Sequence, residues 1–364
     1  MPIYDLTGDP FAGIIVTKEK DLRKELMVKT KSIKELEDIF LYGFDFDAPK
    51  HYILLGGSGA GKSTALYYIK QYIEENAPKN TIITHTHRGE SFILPRDIKP
   101  IFGEKDPKDK NQRILMARHD WTNWQETIKD LVKDKKIFIF WDYPDKISTG
   151  IELKSTLQNM EELIKHNYFN VFISMNKNNY DTALKNSNLP GKFRKIEIKR
   201  FDIDETHNLL YKRLSYYRDP NSNLTDVEPF KDVMGPLRDA GVGVPRTILT
   251  TADIILKGAH KRGIKSLRPQ DIKTILKDAE YHKKIINDRV DDPNKAETLY
   301  MLVLAIRDQF NGEVKKQKDI VDYMKERHGW SNITTVKRLR IIQDYGLLDV
   351  RTADDFWTKQ YKLI

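Results

Sequence analysis

The stretch YILLGGSGAGKST, residues 52–64, constrains the fold of this 364-residue chain more than any other feature of its sequence. The pattern GxxxxGK[ST] runs from Gly56 to Ser63, directly after an apolar run and directly before ALYYIKQYI, a predicted helix. Glycines let backbone N–H groups turn inward around a phosphate, because a Cβ at these places would obstruct the loop. The stretch therefore predicts a phosphate-binding loop between a strand and a helix. A glycine-rich turn that binds nothing is the less favoured alternative.

The side chains of this loop match the parts of a bound nucleoside triphosphate. Lys62 supplies a positive charge to the β- and γ-phosphates, and the N-terminus of the following helix adds its dipole. Ser63 offers a hydroxyl to Mg²⁺. ATP or ADP and Mg²⁺ are therefore the expected ligands. The residues predicted to surround the phosphates are Gly56, Gly57, Ser58, Gly59, Ala60, Gly61, Lys62, Ser63 and Thr64.

An acidic residue ends the apolar run IFIFW in the stretch KKIFIFWDYPD. A carboxylate at the end of a buried strand would hold Mg²⁺ through water, opposite Ser63, so Asp142 is predicted to form the second half of the site. The alternative is a strand-terminal Asp that caps a turn before Pro144.

Two further residues are candidates for contacts near the γ-phosphate. Asn176 follows the apolar run VFIS and is predicted to orient the attacking water. Ser174 is the competing assignment, and a purely structural loop Asn is the alternative. Arg246, in GVGVPRTILTTADIIL, lies at the start of a predicted helix, where a cation is able to fold over the nucleotide. The alternative for Arg246 is a solvated side chain near a helix start.

The pattern along the chain predicts three domains, 1–201, 202–291 and 292–364. In the first domain, five β-rich runs alternate with helical stretches: YILL, TIITHT, IFIFW, VFIS and KIEI. Strands that alternate with helices predict a parallel sheet covered on both faces. The first domain is therefore expected to have an α/β fold.

The second and third domains have different patterns. No strand-like run appears in the second domain, whose first helix has Asp204 as its predicted N-cap. The apolar stripe of this helix is Leu209, Leu210 and Leu214. In the third domain three helical stretches precede two strands around a polar turn, an order that predicts a winged helix.

Composition narrows the function classes. The chain has no cysteine, which excludes disulfides, zinc–thiolate fingers and a cysteine nucleophile. No apolar run approaches the ~20 residues that span a bilayer, and no signal-peptide pattern opens the sequence, so a cytoplasmic location without membrane contact is expected. The net charge of +9 permits contact with nucleic acid. Residues 295–364 carry 13 Lys and Arg against 10 Asp and Glu, a net +3, so charge alone is weak evidence for DNA.

Together these motifs resemble the AAA+ ATPases, and more narrowly the archaeal origin-recognition and cell-division-cycle initiator family. The resemblance covers the phosphate loop, the strands ending near Asp142 and Asn176, GVPR in the lid helix, the stretch AHKRGIKSLRPQDIKTIL and the terminal winged helix. It implies a three-layer αβα nucleotide domain, an all-α lid and ATPase activity. It also implies double-stranded DNA and a replicative helicase as partners, and a homo-oligomer. In that oligomer a trans-acting arginine would be Arg194, with Lys192 and Arg200 as rivals.

The chain departs from the family at the acidic strand. The family usually carries Asp-Glu with a further acidic residue two positions later, whereas this chain has Tyr143 in place of the Glu. Asp145 matches the last acidic position and is the candidate substitute. A neutral phenol does not accept a proton from water as a carboxylate does, and general-base help is worth about 10²–10⁴-fold. We therefore predict tight nucleotide binding with slow hydrolysis, which weakens the expectation of a hydrolytic oligomer.

The helix SNITTVKRLRIIQDY is predicted to lie in the major groove of DNA. Ser331 is its predicted N-cap, and Val336, Leu339 and Ile342 are expected to pack inside. The predicted DNA contacts are Thr334, Thr335, Lys337 and Arg338 on the helix, with Arg351, Thr352 and Lys359 in the wing. The alternative is a winged helix that binds protein.

The sequence therefore predicts an ATP-dependent, DNA-binding, initiator-like protein for origin recognition or helicase loading, with slow ATPase activity. One rival is an AAA+ regulator of transposition or plasmid maintenance, which would recruit a transposase rather than a helicase. The other is a signalling ATPase whose winged helix contacts protein, and nucleotide-dependent self-assembly without DNA affinity would favour it.

Overall fold

A parallel sheet of five strands forms the centre of the N-terminal part of the chain. The computed structural model describes residues 3–11, 23–41, 51–77, 82–88, 135–142, 158–177, 179–181, 189–224, 227–278, 281–287, 290, 292–310, 315–345, 347–352 and 359–363. The strands are β1 (His51–Leu55), β2 (Ile82–Arg88), β3 (Lys136–Asp142), β4 (Phe169–Met175) and β5 (Arg194–Glu197). All five predicted strands are confirmed, each within two residues of its expected bounds.

Helices cover both faces of the sheet, so this part of the chain has three layers. Alternate residues of a strand point to opposite faces. Leu54 packs with helices α1 (Lys31–Leu41) and α2 (Lys62–Asn76) on one face. Ile53 belongs to the core of the other face, which includes side chains from the helical residues 158–163. The predicted α/β fold class is confirmed.

The order of the strands decides which side chains meet at the edge of the sheet. That order is β2-β3-β4-β1-β5, so β4 separates the strand before the phosphate loop from the strand that ends at Asp142. The register places Asp142 beside Ser174, and Ser174 beside Leu54. Because the carboxyl ends of parallel strands meet at one edge, β1, β3 and β4 bring the loop, a carboxylate and a hydroxyl together there.

In the described residues that follow the sheet, five α-helices form the lid. They are α3 (Ile203–Tyr217), α4 (Met234–Ala240), α5 (Pro245–Lys261), α6 (Pro269–Asp278) and α7 (Tyr281–Asn287). Among the described residues of 202–291 there is no strand, as the sequence predicts. The predicted apolar stripe of α3 is buried, at Leu209, Leu210 and Leu214.

The N-cap of α3 is Asp202 and not the predicted Asp204. Asp202 has an extended backbone, and its carboxylate accepts a hydrogen bond from the N–H of Glu205 at 2.8 Å. The Glu205 carboxylate in turn accepts from the N–H of Asp202 at 3.2 Å. Asp204 already lies in the first helical turn, where its backbone no longer allows this geometry. The N–H of Glu205, followed by the Lys31 ammonium of α1, lowers the pKa of the Asp202 carboxyl.

The N-terminal residues 3–11 pack on the lid. Leu6 and Phe11 belong to the core of the lid, and the ring of Phe11 meets that of Phe230 edge to face at 6.4 Å. Nη1 of Arg213, on α3, donates a hydrogen bond to the backbone oxygen of Pro10 at 3.0 Å. The start of the chain therefore contributes apolar side chains to the core of the lid, while the domain bounds 1–201, 202–291 and 292–364 stay a prediction.

The C-terminal part combines three helices with a small antiparallel sheet. The helices are α8 (Pro293–Leu304), which continues into a π-helical turn, α9 (Gln317–His328) and α10 (Asn332–Asp344). The strands β6 (Lys315–Lys316), β7 (Leu348–Thr352) and β8 (Lys359–Leu363) pair in the order β6-β8-β7. The sequence predicts all of these elements except β6, whose two lysines give no apolar pattern. Among the described helices, none has the length and apolar character of a membrane-spanning segment.

Candidate functional site

The phosphate loop occupies the turn between β1 and α2. Gly59 and Gly61 have left-handed backbones, with φ of 77° and 96°, which L side chains rarely adopt. A Cβ on Gly61 would meet nothing within 4 Å, so its backbone conformation, and not crowding, requires glycine. Crowding, in contrast, favours glycine at position 56. A Cβ added to Gly56 would lie 3.2 Å from the Cβ of Ala60 and 3.3 Å from the backbone oxygen of Ile198.

Lys62 is the first residue of α2, and its side chain is buried. Its Nζ donates a hydrogen bond to the backbone oxygen of Gly57 at 3.0 Å, so the ammonium lies over the loop. The positive end of the helix dipole and the ammonium therefore act on the same small volume. This is the arrangement expected of a site for phosphate.

Asp142 is 4% exposed and connects three structural elements. Its Oδ1 accepts hydrogen bonds from the Ser63 hydroxyl of α2 at 2.9 Å and from the Ser174 hydroxyl of β4 at 2.5 Å. Its Oδ2 accepts from the hydroxyl of Tyr67, one turn along α2 from Ser63, at 3.4 Å. The carboxylate is thus held facing the loop by groups from outside its own strand, which disfavours the alternative of a local turn cap.

The side chains of Ser63 and Asp142 suit Mg²⁺. Both offer oxygen, the ligand type that this cation prefers, and the two oxygens are 2.9 Å apart. Mg²⁺ sites usually combine one or two protein groups with phosphate oxygens and water, so a larger cluster is not required. The donor set present therefore fits the ion. Tyr143 and Asp145, the other residues discussed for this strand, lie outside the described residues.

The two candidates at the end of β4 are placed differently. The hydroxyl of Ser174 donates a hydrogen bond to Asp142, one of the two proposed metal ligands. Asn176 follows the last residue of the strand, and its side-chain oxygen accepts a hydrogen bond from the N–H of Asn179 at 2.8 Å. Ser174 is therefore a positioning group for Asp142, while the role of Asn176 in orienting water stays a prediction.

Arg246 is the second residue of α5, and the start of this helix touches the phosphate loop. Its backbone N–H donates a hydrogen bond to the oxygen of Gly59 at 3.4 Å. Pro245, the first residue of the helix, has no N–H to leave unsatisfied, which favours a helix start at this position. The lid therefore contacts the phosphate loop at the first turn of α5.

The three candidates for a trans-acting cation are all exposed. Arg194 is the first residue of β5, Lys192 precedes the strand and Arg200 follows it. The guanidinium of Arg194 lies 3.7 Å from the Glu35 carboxylate of α1. Arg194 pairs with Tyr52 at the start of β1, so it lies at the far end of the strand from the loop. This position suits contact with another molecule better than contact with the nucleotide of the same chain.

The buried face of α10 is rotated by one residue from the predicted one. Ser331 is its N-cap, as predicted, and accepts a hydrogen bond from the N–H of Thr334 at 3.2 Å. The prediction that Thr335 contacts DNA is wrong, because the side chain of Thr335 is fully buried. It packs inside with Leu339 and Ile342, while Val336, predicted to be internal, is only half-buried. The hydroxyl of Thr335 bonds to the Ser331 oxygen at 3.3 Å, which makes its burial possible.

The remaining predicted DNA contacts are spread over the helix and the sheet. Thr334 is half-buried, and its hydroxyl shares a hydrogen bond with that of Ser331 at 2.8 Å. Lys337 is exposed on α10. Arg351 lies on β7 and the exposed Lys359 begins β8, on neighbouring antiparallel strands. Thr352 pairs directly with Lys359 in that sheet.

Arg338 is held by an aromatic ring. The carbon of its guanidinium lies 3.8 Å from the centre of the Trp330 ring, and partial burial lowers the pKa of Arg338. Trp330 contacts His328, and His328 contacts Tyr323, so a row of rings supports the stack. A planar guanidinium stacked on an aromatic ring keeps its edges available for hydrogen bonds.

Comparison with solved structures finds archaeal origin-recognition proteins. The ORC2 protein of Aeropyrum pernix, solved as ADPNP–ADP complexes, matches at 12% identity and a TM-score of 0.54, covering 96% of this chain and 92% of that chain. The ORC1 protein of the same organism, solved in complex with DNA, matches at 11% identity and a TM-score of 0.51, covering 97% of this chain and 92% of that one. This chain has the AAA+ fold of these proteins. No family model matches the sequence, and no curated protein matches it.

Within this AAA+ fold, several residues of the candidate sites escape detection from sequence. Tyr67 contacts Asp142 only because α2 packs on the sheet, and its helical position gives no sign of that role. Trp330 precedes the cap of α10, and the pattern of the helix does not include it. Ile333 and Arg340 are exposed on α10, and a correct phase of the buried stripe is needed to find them.

Proposed function

We propose that this chain binds ATP with Mg²⁺, hydrolyses it slowly, and uses its nucleotide state to place a C-terminal winged helix on double-stranded DNA. The proposed role is origin recognition or helicase loading in the cytoplasm, with a replicative helicase as partner and a homo-oligomer as the working form. The observation that carries the proposal is the first turn of α5, which contacts both the phosphate loop and the end of α10. The N–H of Arg246 bonds to Gly59, and the hydroxyl of Thr247 bonds to the backbone oxygen of Tyr345 at 3.4 Å.

ATP binding rests on the loop and on Lys62. Backbone N–H groups at the start of α2 point toward the loop, where the helix dipole favours an anion. The Lys62 ammonium, which now bonds to the oxygen of Gly57, would exchange this partner for oxygens of the β- and γ-phosphates. The guanidinium of Arg246 would then contact the γ-phosphate from the lid side.

Hydrolysis would use Ser63 and Asp142 to hold Mg²⁺. When bound, this ion supplies positive charge that stabilises the charge developing on the transferred phosphoryl group. Hydrogen bonds from Ser174 and Tyr67 fix the orientation of the Asp142 carboxylate, as groups around a metal ligand commonly do. Asn176, one residue past β4, would orient the attacking water.

Tyr143 accounts for the proposed slow turnover. Replacement of Tyr143 by Glu is expected to speed single-turnover hydrolysis of bound ATP at least about tenfold, because a carboxylate accepts the proton of the attacking water. Tyr143→Phe is the matched control and should leave the rate unchanged. No acceleration in Tyr143→Glu would contradict this explanation. If the wild type hydrolyses ATP quickly and the Asp145→Asn variant does not, Asp145 is the general base instead.

The lid provides the path from nucleotide to DNA. Arg246 and Thr247 are adjacent in one helical turn, so a shift of the first toward a γ-phosphate moves the second with it. Thr247 is fully buried, and Tyr345 is the C-cap of α10, the helix proposed to enter the major groove. Loss of the γ-phosphate would therefore change the position of α10 relative to the sheet.

DNA binding is testable through its dependence on salt. We expect the affinity of the full chain for duplex DNA to fall steeply as salt rises, because each phosphate contact releases counterions. The double variant Lys337→Ala/Arg340→Ala, which removes two exposed cations of α10, should lower the slope of log affinity against log salt by about 2. Lys261→Ala/Arg262→Ala, at the exposed end of α5, is the control and should keep the slope. Absent or salt-insensitive binding by the wild type would reject the DNA-binding role.

A further inference from the structure

Ile333 is the most exposed large apolar side chain in the described part of the chain. It is 82% exposed, whereas the next, Ile203 on α3, is 53% exposed. Ile333 is the second residue of α10, two residues after the N-cap Ser331. Ile333 adds little to the core and presents its apolar side chain to water, so this side chain is available for contact with another molecule.

The surroundings of Ile333 follow from the phase of the helix. Thr335, Leu339 and Ile342 form the buried stripe. Positions four and seven residues after Ile333 share its face, which is opposite that stripe. These positions are the exposed Lys337 and Arg340. The outer face of α10 therefore consists of one isoleucine at its N-terminal end and two cations behind it.

The positive charge of this face indicates which kind of molecule binds to it. From Ser331 to Gln343 the chain carries three cations, Lys337, Arg338 and Arg340, and no acidic side chain. An apolar pocket of another protein would explain Ile333 but not the cations. A DNA groove explains both, because its walls are phosphates and its floor carries one kind of apolar group, the thymine C5-methyl.

We propose that Ile333 contacts the C5-methyl group of thymine in the major groove and makes the chain prefer a T at that position of its site. The proposal rests on the DNA-binding function proposed above. The N-terminal residues of a recognition helix reach base edges, and Ile333 is the apolar side chain in that turn. Lys337 and Arg340 then lie where the groove walls offer phosphates, and Arg338, stacked on Trp330, is held to one side.

Deoxyuridine tests the contact directly, because it differs from thymidine only by the missing methyl group. The probes are a duplex of alternating dA and dT and the same duplex with dU in place of dT, both bound by the full chain at one salt concentration. We expect the wild type to bind the dU duplex about three- to tenfold more weakly, since one buried methyl is worth a few-fold in affinity. Ile333→Ala should bind the dT duplex as weakly as the dU duplex.

The control is Ile203→Ala, which removes the other strongly exposed isoleucine and should keep the full preference for dT. Because Ile333 touches no core, its replacement should leave thermal unfolding and ATP binding unchanged. A wild type that binds both duplexes equally overturns the proposal, and so does a preference for dT that survives in Ile333→Ala. A wild type that binds neither duplex rejects the DNA-binding function itself, so the two failures are distinguishable.

Discussion

Alanine in place of Lys62 is expected to weaken ATP binding by about 10- to 150-fold, because a hydrogen bond to a charged group contributes about 1.5–3 kcal/mol. The side chain is buried over the phosphate loop, with its Nζ 3.0 Å from the oxygen of Gly57. A phosphate at this site would therefore meet the ammonium at short range and largely shielded from water. Calorimetric titration of the full chain with ATP in the presence of Mg²⁺ measures the loss.

Lys70 provides a matched control for this substitution. It lies two turns further along α2, its side chain is also buried, and its ammonium is 3.0 Å from the Glu74 carboxylate. Lys70→Ala removes the same charge from the same helix at a similar burial, yet it should leave ATP affinity within about twofold of wild type. Unchanged affinity in Lys62→Ala, or an equal loss in both variants, would remove the phosphate role from Lys62.

Alanine in place of Gly243 is expected to lower the free energy of unfolding by about 2–5 kcal/mol. Two costs combine at this position. Gly243 has a φ of 64°, a left-handed backbone that disfavours any L side chain. Its Cβ would also lie 2.7 Å from the backbone oxygen of Phe201, which has no flexible end that moves aside. Because the N–H of Phe201 bonds to the oxygen of Gly243 at 2.7 Å, the damage falls on the junction between sheet and lid.

Gly263→Ala separates the two costs. Gly263 has almost the same backbone, with a φ of 66°, but a Cβ there would meet nothing within 4 Å. We therefore expect this control to cost only the conformational part, about 1–2 kcal/mol. Thermal unfolding of the two variants side by side measures the difference. If both variants unfold at the same temperature, the close approach to Phe201 is not a constraint on the folded chain.

Gly243→Ala should also affect the nucleotide site. Gly243 lies two residues before α5, and the second residue of α5 is Arg246, which contacts the phosphate loop. A displaced turn would move this contact, so ATP affinity should fall in Gly243→Ala and stay unchanged in Gly263→Ala. This second readout connects the stability of the junction to the function proposed for the lid.

Much of this fold follows from patterns that are local in sequence. The phosphate loop, the five strands of the sheet and the cap at Ser331 were all predicted, because each depends on residues within a few positions of one another. Glycine conformations, apolar runs and side chains that bond to nearby N–H groups belong to this class. The misplaced N-cap, Asp204 instead of Asp202, is a local error of two residues among several acceptable capping side chains.

The sequence pattern did not predict which face of α10 is buried. Thr335 and Val336 exchanged their predicted roles because a threonine satisfies its hydroxyl on the backbone of the preceding turn and is then buried like an apolar residue. A pattern that counts only apolar residues therefore selects Val336. The one-residue rotation matters for function, because it brings Ile333 and Arg340 to the outer face and removes Thr335 from it.

The sequence by itself determined the phosphate loop, the five strands of the parallel sheet, and the three helices and last two strands of the C-terminal part, since these arise from interactions between neighbours. The tertiary structure alone decided that β4 lies between β1 and β3, which brings Ser174 to Asp142, and that residues 3–11 pack on the lid. It also decided that one turn of α5 joins the loop to α10. These contacts join residues that are far apart in the chain, and strand order and helix packing, which no local pattern encodes, bring them together.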